Sequence, residues 1–399
     1  MQDIFEACKK VQPDLINLWR DIVNIDTGTG YSKGLKQVGE IISEFCIRQG
    51  MQVERYPVNG PQSEFNICAR RKGAGEKSIL LLAHMDTVFP EGTAVERPFR
   101  TDSEWAYGPG VSDCKGGIVL ALYAMEILKK FEISSYGHIT CCFNCDEEIS
   151  SPGSRDLIME LAKQHDYVLS LEPGQTNDGV VAWRKGVGKL KVEVHGKSSH
   201  AGSDPDNGCN ALLELTHKIN SMAGLADRDK QTTVTFTKAI AGDRLNVVTD
   251  FAEAWADVRV VYAEEFDRIE SDARRLADAS VIEGTNTVVT LTRGRPPFAP
   301  NEGTEMLIAQ AEKIYAEIGR TLHKSGVGGA SDANLAAAAG AIVLDSLGPV
   351  KGGPNHTADE KTRLESLVPR LYLLTRLIIE LGNRDFNKNM LSFEKEVRG

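Results

Sequence analysis

The stretch Ser78-Ile79-Leu80-Leu81-Leu82-Ala83-His84 constrains the fold more than any other part of the chain. It is short, nearly all apolar, and passes directly into His84-Met85-Asp86. That is the pattern of a strand covered on both faces. Two more segments share it. His138–Cys145 ends abruptly in Asp146-Glu147-Glu148, and Tyr167–Leu171 ends in Glu172-Pro173. Amphipathic helical patterns over 3–24, 34–49, 118–131 and 154–164 alternate with these runs and with strands at 51–58 and 65–71. Such alternation predicts an α/β fold, a parallel or mixed sheet with helices on both faces.

The middle of the chain has a different rhythm. Strands at 188–194, 232–240, 252–261 and 286–292 and helices at 209–222 and 264–280 follow in the order β-α-β-β-α-β, that of a ferredoxin-like domain. The α/β alternation then resumes with helix 303–319, strand 324–326, helix 332–339 and strand 341–344, ahead of a last helix at 368–381 and a polar tail, Glu394–Gly399. The expected organisation is a catalytic domain built from 1–184 and 296–399, interrupted by an inserted domain at 185–295. A length of 399 residues fits two domains of about 100–200 residues each.

A formal net charge of −10, with no basic stretch interleaved with aromatics, argues against nucleic acid as a partner. No apolar run approaches the roughly 18 residues of a membrane span, and the acidic start, Met1-Gln2-Asp3, is unlike a signal peptide. Eight cysteines, scattered or in apolar context, read as reduced buried thiols of a cytoplasmic protein.

Chemistry-bearing residues collect at the carboxyl ends of the expected strands, where open α/β sheets place their ligands. These are His84, the pair Glu147-Glu148, and Glu172; Asp113 stands at a strand-to-helix turn, and His356 follows a Gly-rich loop after the strand at 341–344. Each has a commonplace account alone: a packed histidine, a helix cap, an acidic turn. Together, two histidines and three carboxylates suit zinc, and they exceed the four ligands of a structural site. A bridging carboxylate would let two metals share the set at about 3.5–4 Å. Successive strand residues face opposite ways, so Glu147 and Glu148 can divide their work only where the strand ends.

Here the chain resembles the dinuclear-zinc metallopeptidases of family M20, nearest to their glutamate carboxypeptidase (carboxypeptidase G) branch. The resemblance runs over nearly the whole length. It is carried by His84-Met85-Asp86-Thr87-Val88, Ala106-Tyr107-Gly108-Pro109-Gly110, Asp146-Glu147-Glu148, Gly153-Ser154-Arg155-Asp156-Leu157-Ile158, Ser199-His200-Ala201-Gly202 and Thr292-Arg293-Gly294-Arg295-Pro296. It implies a mixed-sheet zinc-exopeptidase catalytic domain with an inserted dimerisation and lid domain. Asp113 would bridge two Zn2+ ions (Co2+ or Mn2+ being alternatives), with His84 and Glu172 on one and Glu148 and His356 on the other. Asp86 would hold the His84 ring, and Glu147 would be the general base.

In the insert, the resemblance has His200 reaching a partner subunit's site and polarising the scissile carbonyl. Arg259 and Asn246 would hold the substrate's carboxylate, and backbone amides at Gly328-Gly329 could bind the same group. The implied reaction frees a C-terminal, glutamate-like amino acid from an acylated or peptidyl donor, in a homodimer. An N-acyl-amino-acid deacylase or a di- or tripeptidase is the alternative within the family, and an inactive peptidase-fold binding protein the alternative outside it. Two features depart from the family pattern: Cys114 after Asp113, and the loop Pro349–Asn355 before His356.

Overall fold

The computed structural model describes residues 2–58 and 64–383; the polar tail Glu394–Gly399 lies outside them. The chain divides into two compact units. One is made of residues up to Ala182, Pro300–Gly326 and the chain from Ser331 onward; the other of Trp183–Ala299 with Val327–Ala330.

The first unit is built on a six-stranded mixed sheet in the spatial order Gln52–Pro57, Phe65–Lys72, His138–Asn144, Ser78–His84, Tyr167–Ser170, Ile342–Leu344. The first strand is antiparallel to the second and the second to the third, and the last four are mutually parallel. Ser78–His84 is buried along its whole length, which its apolar run requires. Register then decides where the chain's polar ends meet. His84 lies opposite Asn144, Leu82 opposite Ser170, and Leu169 opposite Leu344. The carboxyl ends of the four parallel strands therefore share one edge.

Helices Gln2–Val23, Lys115–Lys130 and Leu367–Gly382 supply much of the covering layer. The Lys115–Lys130 helix is buried at nearly every position, and its Gly117 lets it approach the sheet closely: a Cβ there would lie 2.1 Å from the Leu171 carbonyl oxygen.

The second unit is a four-stranded antiparallel sheet, Thr233–Ala241, Phe251–Val260, Gly186–His195, Asn286–Arg293, with helices Ala211–Ala223 and Glu264–Asp278. The alternation along Gly186–His195 and Phe251–Val260 sends Leu190, Val192, Val194, Ala254, Ala256 and Val258 into one core. The order along the chain is the β-α-β-β-α-β read from the sequence.

Three differences have physical causes. Trp105–Tyr107 and Lys361–Arg363, unanticipated as strands, pair with each other across more than half the chain. Gly179–Arg184, also unanticipated, pairs with His323–Val327. Finally, Val327–Ala330 groups with the second unit, although 296–399 was expected to be catalytic throughout. Main-chain and side-chain bonds hold it there: Lys185 N–H donates to Val327 O at 3.1 Å, and the Arg184 guanidinium to Gly329 O at 3.1 Å.

Candidate metal centre and active site

His84 ends its strand fully buried, with Nδ1 3.0 Å from the Asp86 carbonyl oxygen and 3.3 Å from its Oδ1. A proton on Nδ1 leaves Nε2 facing Asp113 Oδ1 at 3.0 Å and Glu172 Oε1 at 3.8 Å. The other oxygen of Asp113 faces a second group: Oδ2 is 3.3 Å from His356 Nε2, which is 3.0 Å from Glu148 Oε2. Two sets of donor atoms result, each lying within 4.8 Å: His84, Asp113, Cys114 and Glu172, and then Asp113, Glu148 and His356. Asp113 belongs to both.

The charges fit cations. Burial opposes a proton on His84, but hydrogen bonds to Asp113 and Asp86 outweigh it and hold the imidazole well above its ordinary range. Hydrogen bonds to Asp113 and Glu148 push His356 up to about 10. Burial would raise Asp113, yet its bonds to His356 and His84 keep it well below the usual carboxylate range. Burial is also what raises Glu148, whose Oε1 is buried with no hydrogen-bond partner. Protons on two imidazoles thus sit where the carboxylates call for positive charge. An unpartnered buried carboxylate oxygen, imidazole nitrogens and a shared aspartate are donors that two divalent ions would satisfy.

Asp86 does more than hold His84. Its Oδ1 accepts from the backbone N–H of Glu147 and its Oδ2 from that of Glu148, both at 3.1 Å, and the Thr29 hydroxyl adds a 2.7 Å bond. The strand ends at Asn144, and Glu147–Ile149 form a 3-10 turn. Within it Glu148 joins the donor set, while Glu147 stays outside it, buried, its charge acting on His84. Asp146, without an expected role, accepts from the N–H groups of Gly153 (2.6 Å) and Ser154 (3.2 Å) and from the Ser154 hydroxyl. It anchors the turn into helix Arg155–Lys163. A cavity of about 420 Å³ lined by Thr29, Tyr31, Val88, Phe89 and Glu148 adjoins the second donor set, a size suited to a small ligand.

Two further groups were not foreseen. Asn355 Nδ2 donates to Asp113 Oδ2 at 2.8 Å, and the buried Glu360 carboxylate accepts from the Asp113 backbone. Neither has a sequence signature, because each meets Asp113 across some 240 residues through paired loops. Cys114 is fully buried and donates to the Leu171 carbonyl at 3.1 Å; burial first of all keeps its thiol protonated, which makes it inert.

A profile described as Peptidase family M20/M25/M40 matches residues 80–380. The chain belongs to that family. It is 37% identical over 381 residues to carboxypeptidase G2 of Pseudomonas sp. (strain RS-16), covering 95% of this chain and 92% of that one. Among solved structures, aminopeptidase PepT from Bacillus cereus matches with TM-score 0.80 at 23% identity, covering 93% of this chain and 99% of that one. The YXEP protein of Bacillus subtilis, described as a dinuclear metal-binding peptidase of this family, matches with TM-score 0.69 at 16% identity, over 93% and 98%. This M20 chain is therefore a metal-dependent hydrolase of peptide or amide bonds, on the M20 fold.

The remaining expected residues lie in the second unit of this M20 chain. His200 is exposed, its Nδ1 accepting from the N–H groups of Gly202 and Ser203 at 3.1 Å, and its neighbour Ala201 donates to the Asn246 carbonyl at 2.9 Å. Arg259 grips Asp257 with Nε and Nη2 (2.8 and 3.1 Å) and reaches Gly328 O at 3.4 Å. Gly328 and Gly329 are thus engaged through their carbonyls. Helix Asp332–Ala338 is capped by Ser331, whose hydroxyl takes the Ala333 N–H. No described helix is long and apolar enough to cross a membrane.

Proposed function

We propose that this peptidase uses two Zn2+ ions to release a C-terminal, glutamate-like amino acid from an acylated or peptidyl donor. The observation that carries the reading is Asp113, whose two oxygens face two different sets of donors. His84, Asp113 and Glu172 would hold one ion, and Asp113, Glu148 and His356 the other; cobalt or manganese suits the same nitrogen and oxygen donors. When bound, the ions supply Lewis acidity, which brings the pKa of water toward neutrality and polarises a carbonyl.

Glu147 takes the proton of the attacking water and passes it to the departing amine. It can do so because Asp86 fixes the backbone of both glutamates, letting one bind and the other stay mobile in protonation. His200, by resemblance, would polarise the scissile carbonyl from a partner subunit. Arg259, Asn246 and the Gly328-Gly329 backbone would hold the free carboxylate, for which a planar guanidinium is suited. Exposed Leu212, Leu213 and Ile240 on the second unit support a homodimer contact there. The eight free thiols support a reducing, cytoplasmic setting. The similarity to carboxypeptidase G2 favours release of a C-terminal residue, and the glutamate-like preference is what the family resemblance implies.

A substrate panel tests this. N-acylated donors ending in glutamate should be cleaved, and amidating the terminal carboxylate should abolish turnover. Indifference to amidation, or a requirement for a free amine, contradicts the carboxypeptidase reading and favours a deacylase or tripeptidase.

A further inference from the structure

Glu360 belongs to neither donor set, yet it is only 2% exposed. Its Oε1 accepts from the backbone N–H groups of Ser112 (2.8 Å) and Asp113 (3.0 Å), and its Oε2 from that of Gly110 (3.3 Å). Three convergent amides need an acceptor with more than two lone pairs, which the two oxygens of a carboxylate offer and the single acceptor oxygen of an amide or hydroxyl does not. The buried Lys115 donates from Nζ to Ile25 O at 2.8 Å; burial pushes its ammonium down to about 7, against the opposing pull of the Glu360 and Asp26 charges.

The pairing of Lys361–Arg363 with Trp105–Tyr107 explains how Glu360 arrives there. Lys361 lies opposite Tyr107, so the chain entering one strand runs beside the chain leaving the other. The first of these stretches carries His356 and the second Asp113. Glu360 N–H also donates to Thr357 O at 3.3 Å, closing the turn that follows His356.

The two donor sets differ in what supports them. His84 and Glu172 sit at or just past the ends of strands in the central sheet, where the ladder holds the backbone. His356 sits in a loop outside any strand, its side chain half exposed and its backbone at φ 63°, the left-handed region that favours glycine. Something outside the residue must keep it in place.

We propose that Glu360 is a positioning residue that locks the Asp113 loop to the His356 loop and thereby sets the second cation site. This rests on the two-ion reading above. It orders the sites: weakening Glu360 loosens the set Asp113, Glu148 and His356 before the set His84, Asp113 and Glu172.

Calorimetric titration of the metal-free full chain with Zn2+, with metal counted after gel filtration, tests it. Wild type should bind two ions. Glu360→Gln, which keeps the shape and one acceptor oxygen, should keep the tighter site and bind the second ion about 10–100-fold more weakly, the usual cost of losing an outer hydrogen-bond partner. Glu360→Ala should lose the second ion on gel filtration; if that variant does not fold, Glu360→Gln carries the test. Two ions bound by Glu360→Gln with wild-type affinities overturns the assignment. So does a lowered melting temperature of its metal-free form with both affinities unchanged, which is what a merely structural role gives. Neither result touches the two-ion reading, which falls instead if wild type binds fewer than two.

Discussion

Asp86 shows how much one carboxylate can organise. It meets the imidazole of His84, the backbone of Glu147 and Glu148, and the Thr29 hydroxyl, all while fully buried. Replacing it with asparagine puts an N–H donor against at least one of these donors and leaves it unsatisfied. Asp86→Asn should therefore weaken metal binding about 10–100-fold and lower kcat as well, since Glu147 loses its anchor. A chelator competition and a rate measurement check both; unchanged values in each would show that Asp86 is only packed. The i, i+2 relation of His84 and Asp86 was legible in the sequence, because extended chain puts such residues on one face. The bonds from Asp86 to the amides of Glu147 and Glu148 were not, since they depend on how two parallel strands end side by side.

Elements were legible in proportion to how locally they are determined. Ser78–His84 and His138–Asn144 are apolar enough to be strands wherever the chain goes, and the alternation in Phe251–Val260 needs no partner to be recognised. Trp105–Tyr107 and Lys361–Arg363 are three residues each, too short to show a pattern, and belong to a small sheet with Arg100–Thr101 whose main partnership spans more than half the chain. The segment after helix Arg155–Lys163 has a consequence for pH. His165 is buried, with Nδ1 2.6 Å from Leu161 O and Nε2 2.8 Å from the Thr140 hydroxyl; burial above all pushes it down to about 4. Below its ordinary value of about 6.5 the unfolded chain takes up the proton first. The stability that His165 contributes is thus present above about pH 6.5 and is lost as pH falls through about 4. Melting temperatures of wild type should fall more steeply from pH 7 to pH 4 than those of His165→Gln. Parallel curves would show that the imidazole is not held neutral.

At the scale of the molecule, the chain order β-α-β-β-α-β and the recurring polar strand ends were enough to expect a parallel or mixed sheet with a ferredoxin-like insert; the peptidase fold was what the family resemblance implied, and membership of the M20 family agrees. The place of Val327–Ala330 with the second unit was not visible, because it follows from bonds to Arg184, Lys185 and Arg259 rather than from any local pattern. The proposed function depends on a division of labour between adjacent glutamates, in which Glu148 would hold metal and Glu147 would move a proton. Metal content and turnover of Glu147→Gln, measured on the same preparation against an N-acylated donor ending in glutamate, test that division most directly. The variant should retain two ions per chain and lose about 10²–10⁴ in kcat, the usual worth of a general base. Wild-type turnover, or loss of an ion along with the rate, would contradict it.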